Sequence, residues 1–224
     1  MRGKGAVASS VRPVGILGGT FDPIHFGHLR LAEELAQQLD LAEVCFIPSG
    51  RPWHREEPGA TPEQRVEMVR LAIAGNPRFR LDGREASSGA PGYTVETLAS
   101  LRLEVGADLP LCLLLGADAF LGLATWHRWH ELFGLAHIAV AQRPGFSLQT
   151  EQMGDELRAE AESRMSSDPR DLQATPCGKV LPCPITPLDI SATRIRSAIK
   201  AVQSPRYLLP DAVVDYIQTH HLYR

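Results

Sequence analysis

Short apolar runs alternate with amphipathic segments along this chain, and that alternation limits its fold more than any other feature. Four runs predict buried strands: VGILGG (14–19), EVCFIPSG (43–50), LPLCLLLGAD (109–118) and HIAVAQRPG (137–145). Apolar residues at helical spacing follow the first run, at 29–39. Strands that alternate with helices in this way predict an α/β fold, a doubly wound Rossmann-like parallel sheet with helices on both faces. The most apolar run, 109–118, is expected at the sheet centre.

Weaker patterns predict the remaining strands and one strongly signalled helix. FRLDGRE (79–85) predicts another strand, and residues 179–191 predict a further extended segment. Thr61 and Gln64 match a capping box, and Pro62 lies between them at the first helical position. Two independent signals therefore place a helix start at the same residues.

Three more helices are expected in the second half of the chain. One covers residues 94–106, and a second follows Ser191, whose hydroxyl suits an N-cap. The last begins with Pro210 as its first helical residue.

The length suits one domain with a single large core. We expect that domain at residues 14–224, with a small C-terminal helical part and a flexible lead-in at 1–13 that lacks a signal-peptide apolar core. The polar segment 147–180 is predicted to be a surface insertion, with a helix plausible within 147–167 and a loop at 168–180. No function is assigned to it.

Composition excludes some classes of function. The formal net charge of −3 provides no basic field for broad nucleic-acid binding, although small nucleotides need only local cations. No apolar run approaches the roughly 20 residues that span a bilayer. Four scattered cysteines predict reduced thiols and a cytoplasmic protein, and the spacing of Cys177 and Cys183 disfavours zinc.

Ligands of doubly wound sheets bind outside the carboxyl ends of the strands. Five parts of this chain follow strand ends and are expected to converge there: Gly18–His28, Ser49–Arg55, Gly116–Trp126, Arg143 and Ser191–Arg196.

The turn after the first strand has the chemistry of a phosphate site. Gly18 and Gly19 lack a Cβ, so a ligand can approach the backbone closely. The following helix presents free N–H groups, and His25 and His28 add side-chain donors within one turn of that end. Two histidines in a turn also suit structural roles, and a metal site would need further ligands. No P-loop or G-x-G-x-x-G motif is present.

Two motifs at opposite ends of the domain resemble one superfamily. GTFDPIHFGH (19–28) is similar to the H-x-G-H signature of nucleotidyltransferases, and ISATRIR (190–196) is similar to their I-S-x-T-x-x-R signature. Over roughly residues 14–220 the chain resembles the bacterial nicotinate-nucleotide adenylyltransferases. The further segments that carry this likeness are GYTVETL (92–98), GADAFLGLATWHRW (116–129), AQRPG (141–145) and YLLPDAVVDYI (207–217).

The resemblance implies transfer of the adenylyl group of ATP to nicotinate mononucleotide, which yields nicotinate adenine dinucleotide and pyrophosphate. The attacking phosphate is already anionic, so positioning and charge stabilisation suffice without a nucleophilic Ser or Cys. The implied cofactor is Mg²⁺ carried on the ATP phosphates, with no metal site in the protein. ATP and nicotinate mononucleotide are the implied partners, without nucleic acid or membrane; a homo-oligomer is left open.

Site residues follow from the resemblance, position by position. His25, His28 and Arg196 are expected to be catalytic, with Arg196 facing the departing pyrophosphate. The implied ATP-binding residues are Gly18, Gly19, Thr20, Phe21, Gly116, Asp118, Ile190, Ser191 and Thr193. The implied nicotinate nucleotide-binding residues are His54, Arg55, Thr94, Trp126, His127 and Arg143.

Several of these assignments have alternatives. Asp118 would bind the adenosine ribose, or be the N-cap of the next helix. Trp126 would stack on the pyridine ring, or be core as Trp129 is expected to be. Trp53 replaces a proline, and His127 a tyrosine, that are common in the family.

Other functions also fit parts of the pattern. The same reaction on nicotinamide mononucleotide differs by a few backbone donors that a sequence does not display. Pantetheine-phosphate adenylyltransferases share the first signature but are shorter, and a silent nucleotide-binding regulator would have lost a phosphate-handling residue. A class I aminoacyl-tRNA synthetase fragment is excluded because the K-M-S-K-S type loop and a basic RNA surface are missing.

Overall fold

A computed structural model describes residues 11–50, 58–88, 92–142 and 153–224. Six strands form one sheet in the order β3-β2-β1-β4-β5-β6, and every neighbouring pair is parallel. The strands are β1 (Val14–Gly19), β2 (Glu43–Pro48), β3 (Phe79–Leu81), β4 (Leu111–Gly116), β5 (His137–Gln142) and β6 (Val180–Pro184). The predicted doubly wound sheet is confirmed, and the apolar run at 111–116 pairs with β1 at its centre.

Helices cover both faces of this sheet. They are α1 (Phe26–Gln38), α2 (Pro62–Ile73), α3 (Arg84–Ser88), α4 (Thr94–Val105), α5 (Ala117–Leu121), α6 (Leu132–Leu135), α7 (Asp155–Arg164), α8 (Asp171–Ala174), α9 (Ala192–Lys200) and α10 (Asp211–Thr219). Short 3₁₀ turns lie at Leu123–Thr125 and Trp129–Glu131.

Alternate residues of the central strands feed two separate cores. Leu17 of β1 and Leu114 of β4 pack on one face, against α1, α2 and α10. Ile16 and Leu113 pack on the other face, against α4, α6 and α7. The period-two alternation of side chains in a strand explains why both faces are apolar.

The predicted helix starts are confirmed where the signal is local. Thr61 N donates to Oε1 of Gln64 at 2.9 Å, and Gln64 N donates to Oγ1 of Thr61 at 3.3 Å, which completes the capping box. Ser191 Oγ accepts from Arg194 N at 3.3 Å, so Ser191 is the N-cap of α9.

Three predicted boundaries are wrong. The strand expected at 79–85 ends at Leu81, because Asp82 Oδ1 accepts from the Arg84 backbone N–H at 3.0 Å and starts α3. Pro210 is the N-cap of α10 rather than its first helical residue. The expected loop at 168–180 contains the single turn α8, whose Leu172 is buried.

Two segments expected at the periphery make firm contacts. Arg12 Nη2 donates to the Leu41 carbonyl at 2.6 Å, so residues 11–13 of the expected flexible lead-in are held in place. Within the expected insertion 147–180, Leu157 and Ala161 of α7 are buried in the core. One side of α7 is therefore part of the packed domain. The insertion boundaries themselves stay a prediction.

The buried Arg65 guanidinium links the ends of strands β1 and β2. Arg65 of α2 is 0% exposed. Its Nη1 donates to the carbonyls of Thr20 at 2.8 Å and Ser49 at 2.6 Å, and its Nη2 donates to the Gly50 carbonyl at 2.7 Å. These carbonyls lie just past β1 and β2, where no further strand pairing satisfies them.

Arg65→Met should lower the free energy of unfolding by about 3 kcal/mol or more, because three carbonyl oxygens lose a charged donor. Arg70→Met on the exposed side of the same helix, where Arg70 pairs with Glu67, should cost about 1 kcal/mol or less. Urea unfolding of both variants measures the difference. Equal costs would contradict a role for Arg65 at the strand ends.

Candidate active site

The turn between β1 and α1 brings the two histidines together. His25 is the N-cap of α1 in extended conformation, and its backbone N–H donates to Nδ1 of His28 at 3.3 Å. The two rings stack with centroids 3.8 Å apart. The edge of Phe21 contacts the His28 ring, at a centroid distance of 5.1 Å. Both imidazoles are thus held at the N-terminus of a 13-residue helix.

His25 is nearly enclosed by protein. Its side chain is 6% exposed, and Nδ1 has no hydrogen-bond partner among the described residues. Burial lowers the pKa of His25 from 6.5 to about 4, because the charged ring loses its hydration. The imidazole is therefore neutral at neutral pH, so no uncompensated positive charge is buried at the start of α1.

The glycines before this turn differ in their surroundings. A Cβ atom built on Gly18 would have no atom within 4 Å, so the backbone there is open to a ligand. A Cβ on Gly19 would lie 3.0 Å from the Phe21 ring, and Phe21 itself has a φ of 50°. Gly19 thus makes room for Phe21, and Gly18 leaves space open at the strand end.

The second motif lies against the first. A Cβ on Gly27 would be 3.6 Å from the Ile190 carbonyl oxygen. Arg196 Nη1 donates to the Asp22 carbonyl at 2.8 Å, and its Nη2 lies 3.5 Å from Oγ1 of Thr193. The N-termini of α1 and α9 therefore share one edge of the molecule, where free backbone N–H groups and positive dipole ends face the same space.

Asp22 is a residue of this edge that the sequence did not single out. It is 4% exposed, and its carboxylate accepts from Gly59 N at 2.8 Å, Ala60 N at 3.1 Å and the Tyr223 hydroxyl at 2.7 Å. The start of α2 and the segment after α10 are thereby fastened to the β1–α1 turn. No local pattern signals these partners, since they lie far away in the chain.

The end of β4 contributes an open acidic position. Gly116 is the N-cap of α5, and a Cβ there would have no atom within 4 Å. Asp118 lies in the first turn of α5 and is exposed. The alternative role of Asp118 as an N-cap is therefore not observed, and its carboxylate faces solvent beside the sheet edge.

A small cavity of about 50 Å³ brings together three predicted nucleotide-binding residues, Thr94, Trp126 and His127. Its other lining residues are Gly92, Tyr93, Val95 and Leu132. Thr94 is the first residue of α4, so backbone N–H groups of that helix start face the cavity region. Trp126 is half-buried, whereas Trp129 is 6% exposed and belongs to the core, as predicted.

The Glu85 carboxylate lies next to Gly92, at the wall of this cavity. Glu85 Oε1 accepts from the Thr97 hydroxyl at 2.5 Å. A Cβ on Gly92 would lie 2.2 Å from Oε2 of Glu85, so a larger residue there would displace the Glu85 carboxylate. Burial raises the pKa of Glu85. Glu85 is a residue next to the cavity that the sequence did not indicate.

Three predicted site residues, His54, Arg55 and Arg143, lie outside the described residues. Arg194 forms an exposed ion pair with Asp189 at 2.9 Å. Within the described ranges, no three His, Cys, Asp or Glu side chains come together as a metal site.

The helices of the described chain are all too short or too polar to cross a membrane.

Paired histidines and a hydroxyl-bearing helix start, set at the carboxyl edge of a doubly wound sheet, define a nucleotidyltransferase-type α/β protein. The family model described as cytidylyltransferase-like matches residues 16–198. A "Probable nicotinate-nucleotide adenylyltransferase" of Dechloromonas aromatica is 55% identical over 212 residues, which are 95% of this chain and 98% of that protein. One of the same name from Pseudomonas putida is 46% identical and covers 97% of each chain. The chain belongs to the cytidylyltransferase-like family and, within it, to the nicotinate-nucleotide adenylyltransferases.

Solved structures share the fold. The Plasmodium falciparum nicotinic acid mononucleotide adenylyltransferase complexed with NaAD aligns with a TM-score of 0.70 at 16% identity, over 95% of this chain and 97% of that one. The same enzyme complexed with APC aligns with a TM-score of 0.68 at 16% identity, over the same shares of the two chains.

The burial of His25 predicts a pH dependence of stability. The unfolded chain takes a proton on His25 near pH 6.5, whereas the folded chain resists it until about pH 4, so stability falls as the pH falls through that window. The loss should reach about 3 kcal/mol at the acid end. His25→Asn should remove this share of the loss in urea unfolding across the window.

Burial also lowers the pKa of His137, which therefore contributes to the same loss of stability. This contribution is equal in the variant and the wild type, so the difference between them reports on His25. His130→Asn, at an exposed histidine outside the site, is the matched control and should keep the wild-type slope. An unchanged slope in His25→Asn would contradict the neutral, buried state of His25.

Proposed function

We propose that this chain transfers the adenylyl group of ATP to nicotinate mononucleotide and releases pyrophosphate and nicotinate adenine dinucleotide. The observation that carries the proposal is the contact between the two motifs, where Arg196 Nη1 donates to the Asp22 carbonyl at 2.8 Å. Two helix N-termini and a histidine pair then face one space, which suits a triphosphate. Its family membership supports the same reaction.

In this reaction the phosphate of the mononucleotide attacks the α-phosphorus of ATP, and the bond to the β-phosphate oxygen breaks. The attacking oxygen is anionic, so the protein needs to align the groups and stabilise developing charge. His25 and His28 would donate to the phosphate that is transferred, reinforced by the positive end of the α1 dipole.

The start of α9 would hold the leaving pyrophosphate. Ser191, Thr193 and Arg196 lie within the first one and a half turns of α9, and Thr193 is exposed. Arg196 offers a fixed positive charge, because its guanidinium is already anchored on the Asp22 carbonyl. Charge that builds on the departing oxygen is therefore met by a cation that needs little reorganisation.

We include Mg²⁺ in the proposal as an ion that travels with ATP. The imidazole, hydroxyl, guanidinium and backbone N–H groups of the two motifs are donors to phosphate oxygens rather than ligands for a hard cation. The Asp22 carboxylate is buried and already accepts three hydrogen bonds. Phosphate oxygens and water would thus hold the ion. When bound, it would neutralise part of the charge on the triphosphate.

The cavity beside α4 would take the pyridine ring of the mononucleotide. Trp126 forms one side of it, and the backbone N–H groups near Thr94 would bind the ring's carboxylate. Gly116 and Asp118 at the end of β4 would lie along the ribose of the ATP. Cytoplasmic placement completes the proposal and agrees with four free cysteines.

Nicotinate mononucleotide, ATP and Mg²⁺ should give rapid pyrophosphate release, and nicotinamide mononucleotide should give much less, because a helix N-terminus favours a carboxylate over an amide. Parallel assays of pyrophosphate release measure the ratio. A reversed ratio would move the enzyme to the amide substrate. No release with either would contradict the proposal.

In the same assay, His28→Ala should lower kcat by about a hundredfold or more, and the exposed His220→Ala should not.

Trp126→Ala should raise KM for the mononucleotide about tenfold, since it removes one stacking face, while KM for ATP stays near the wild-type value. Steady-state kinetics with each substrate varied in turn separate the two constants. Trp129→Phe is the matched control at a buried position and should leave both KM values unchanged. Equal rises in the two constants for Trp126→Ala would indicate a core tryptophan instead.

A further inference from the structure

We propose that Tyr223 is a positioning residue for Arg196: its hydroxyl holds the Asp22 carboxylate, and Asp22 in turn holds the guanidinium that faces the leaving pyrophosphate. This inference rests on the function proposed above and adds to the site a residue far from both motifs.

The first step is the saturation of the Asp22 carboxylate. Oδ2 accepts from Gly59 N at 2.8 Å, and Oδ1 accepts from Ala60 N at 3.1 Å and from the Tyr223 hydroxyl at 2.7 Å. With these donors in place, Arg196 Nη1 lies 3.7 Å from Oδ2 and donates instead to the Asp22 carbonyl oxygen at 2.8 Å. The carboxylate therefore attracts the Arg196 guanidinium but forms no direct hydrogen bond with it.

The second step is that the Tyr223 hydroxyl keeps Arg196 from pairing directly with the Asp22 carboxylate. Without it, Oδ1 of a 4%-exposed carboxylate would be left with one donor. A buried anion that is short of donors draws in the nearest cation, and the Arg196 guanidinium already lies beside the same side chain. A direct pair with Asp22 would pull that guanidinium from the carbonyl toward the carboxylate, away from the start of α9.

The third step is that Tyr223 is itself held firmly. A Cβ atom built on Gly59 would lie 2.9 Å from Cδ1 of Tyr223, so the ring packs directly on the backbone at that glycine. Leu222 is 8% exposed and its N–H donates to the Ile217 carbonyl at 3.0 Å. Tyr223 has a φ of 64°, a left-handed conformation that a tyrosine adopts only when its surroundings impose it.

The protonation of Tyr223 agrees with a donor role. Burial and the negative charge of Asp22 both raise the pKa of the phenol, so its proton stays in place and points to the carboxylate. The groups that face this hydroxyl across the packed elements are Asp22, Arg196 and Arg65.

Tyr223→Phe removes the hydroxyl and keeps the ring on Gly59. Calorimetric titration with ATP and Mg²⁺ should show a Kd about fivefold to tenfold higher than in the wild type. The loss of one hydrogen bond to Asp22 should weaken the contact between Arg196 and the ATP phosphates by that amount. The Kd for nicotinate mononucleotide should change less than about twofold, since that ligand does not use Arg196. Tyr216→Phe, the same change on α10, should leave both Kd values unchanged.

A double-mutant cycle tests whether the effect passes through Arg196. In the Arg196→Ala background, Tyr223→Phe should add no further loss of ATP affinity. Gly59→Ala, which displaces the ring but keeps the hydroxyl, should weaken ATP binding in the wild-type background in the same direction.

An unchanged Kd for ATP in Tyr223→Phe, or a lower unfolding midpoint without a change in Kd, would overturn the positioning role. Full additivity with Arg196→Ala would overturn it as well, as would equal losses for ATP and the mononucleotide. In each of these cases wild-type pyrophosphate release would leave the proposed function standing. A wild-type chain that neither binds ATP nor releases pyrophosphate would overturn both.

Discussion

The rest of the active edge depends on how the short turn between β1 and α1 is held in place. Its backbone leaves the sheet at Thr20 and must present His25 at the start of a helix within six residues. Arg65 donates to the Thr20 carbonyl, and Asp22 accepts backbone N–H groups from the start of α2. Buried charges of opposite sign on the two sides of one turn lock it more firmly than neutral hydrogen bonds would. The hydrogen bonds of Arg65 and Asp22 thus also fix the positions of both histidines.

A site for a triphosphate needs more hydrogen-bond donors than the protein itself can pair. Donors without a protein partner lower the stability of the folded chain. The N-termini of α1 and α9 leave backbone N–H groups unpaired within their helices. The neutral state of His25 limits this cost, because a charged imidazole in the same place would be poorly solvated. Phosphate oxygens would complete the hydrogen bonds that the protein leaves open, so binding and charge stabilisation come from the same groups.

Much of the fold was predictable, since its signals are local. The capping box at Thr61 needs only residues within three positions, and strand periodicity needs only a short window. The end of β3 was missed because one hydrogen bond, donated by the Arg84 backbone N–H to the Asp82 carboxylate, converts an extended run into a helix start. Arg65 and Tyr223 were missed for the opposite reason. An arginine inside an amphipathic helix and a tyrosine after one resemble surface residues until their distant partners are known.

By itself the sequence determined the parallel sheet, its longer helices and the two motifs that the phosphates would contact. The tertiary structure alone decided how the motifs are held. Asp22 contacts Arg196 and Tyr223 across separations of 174 and 201 residues, and no local pattern encodes such pairs. The physical reason is that periodicity and capping depend on neighbours along the chain. The satisfaction of a buried charge depends instead on whichever groups the packed elements bring within hydrogen-bond distance.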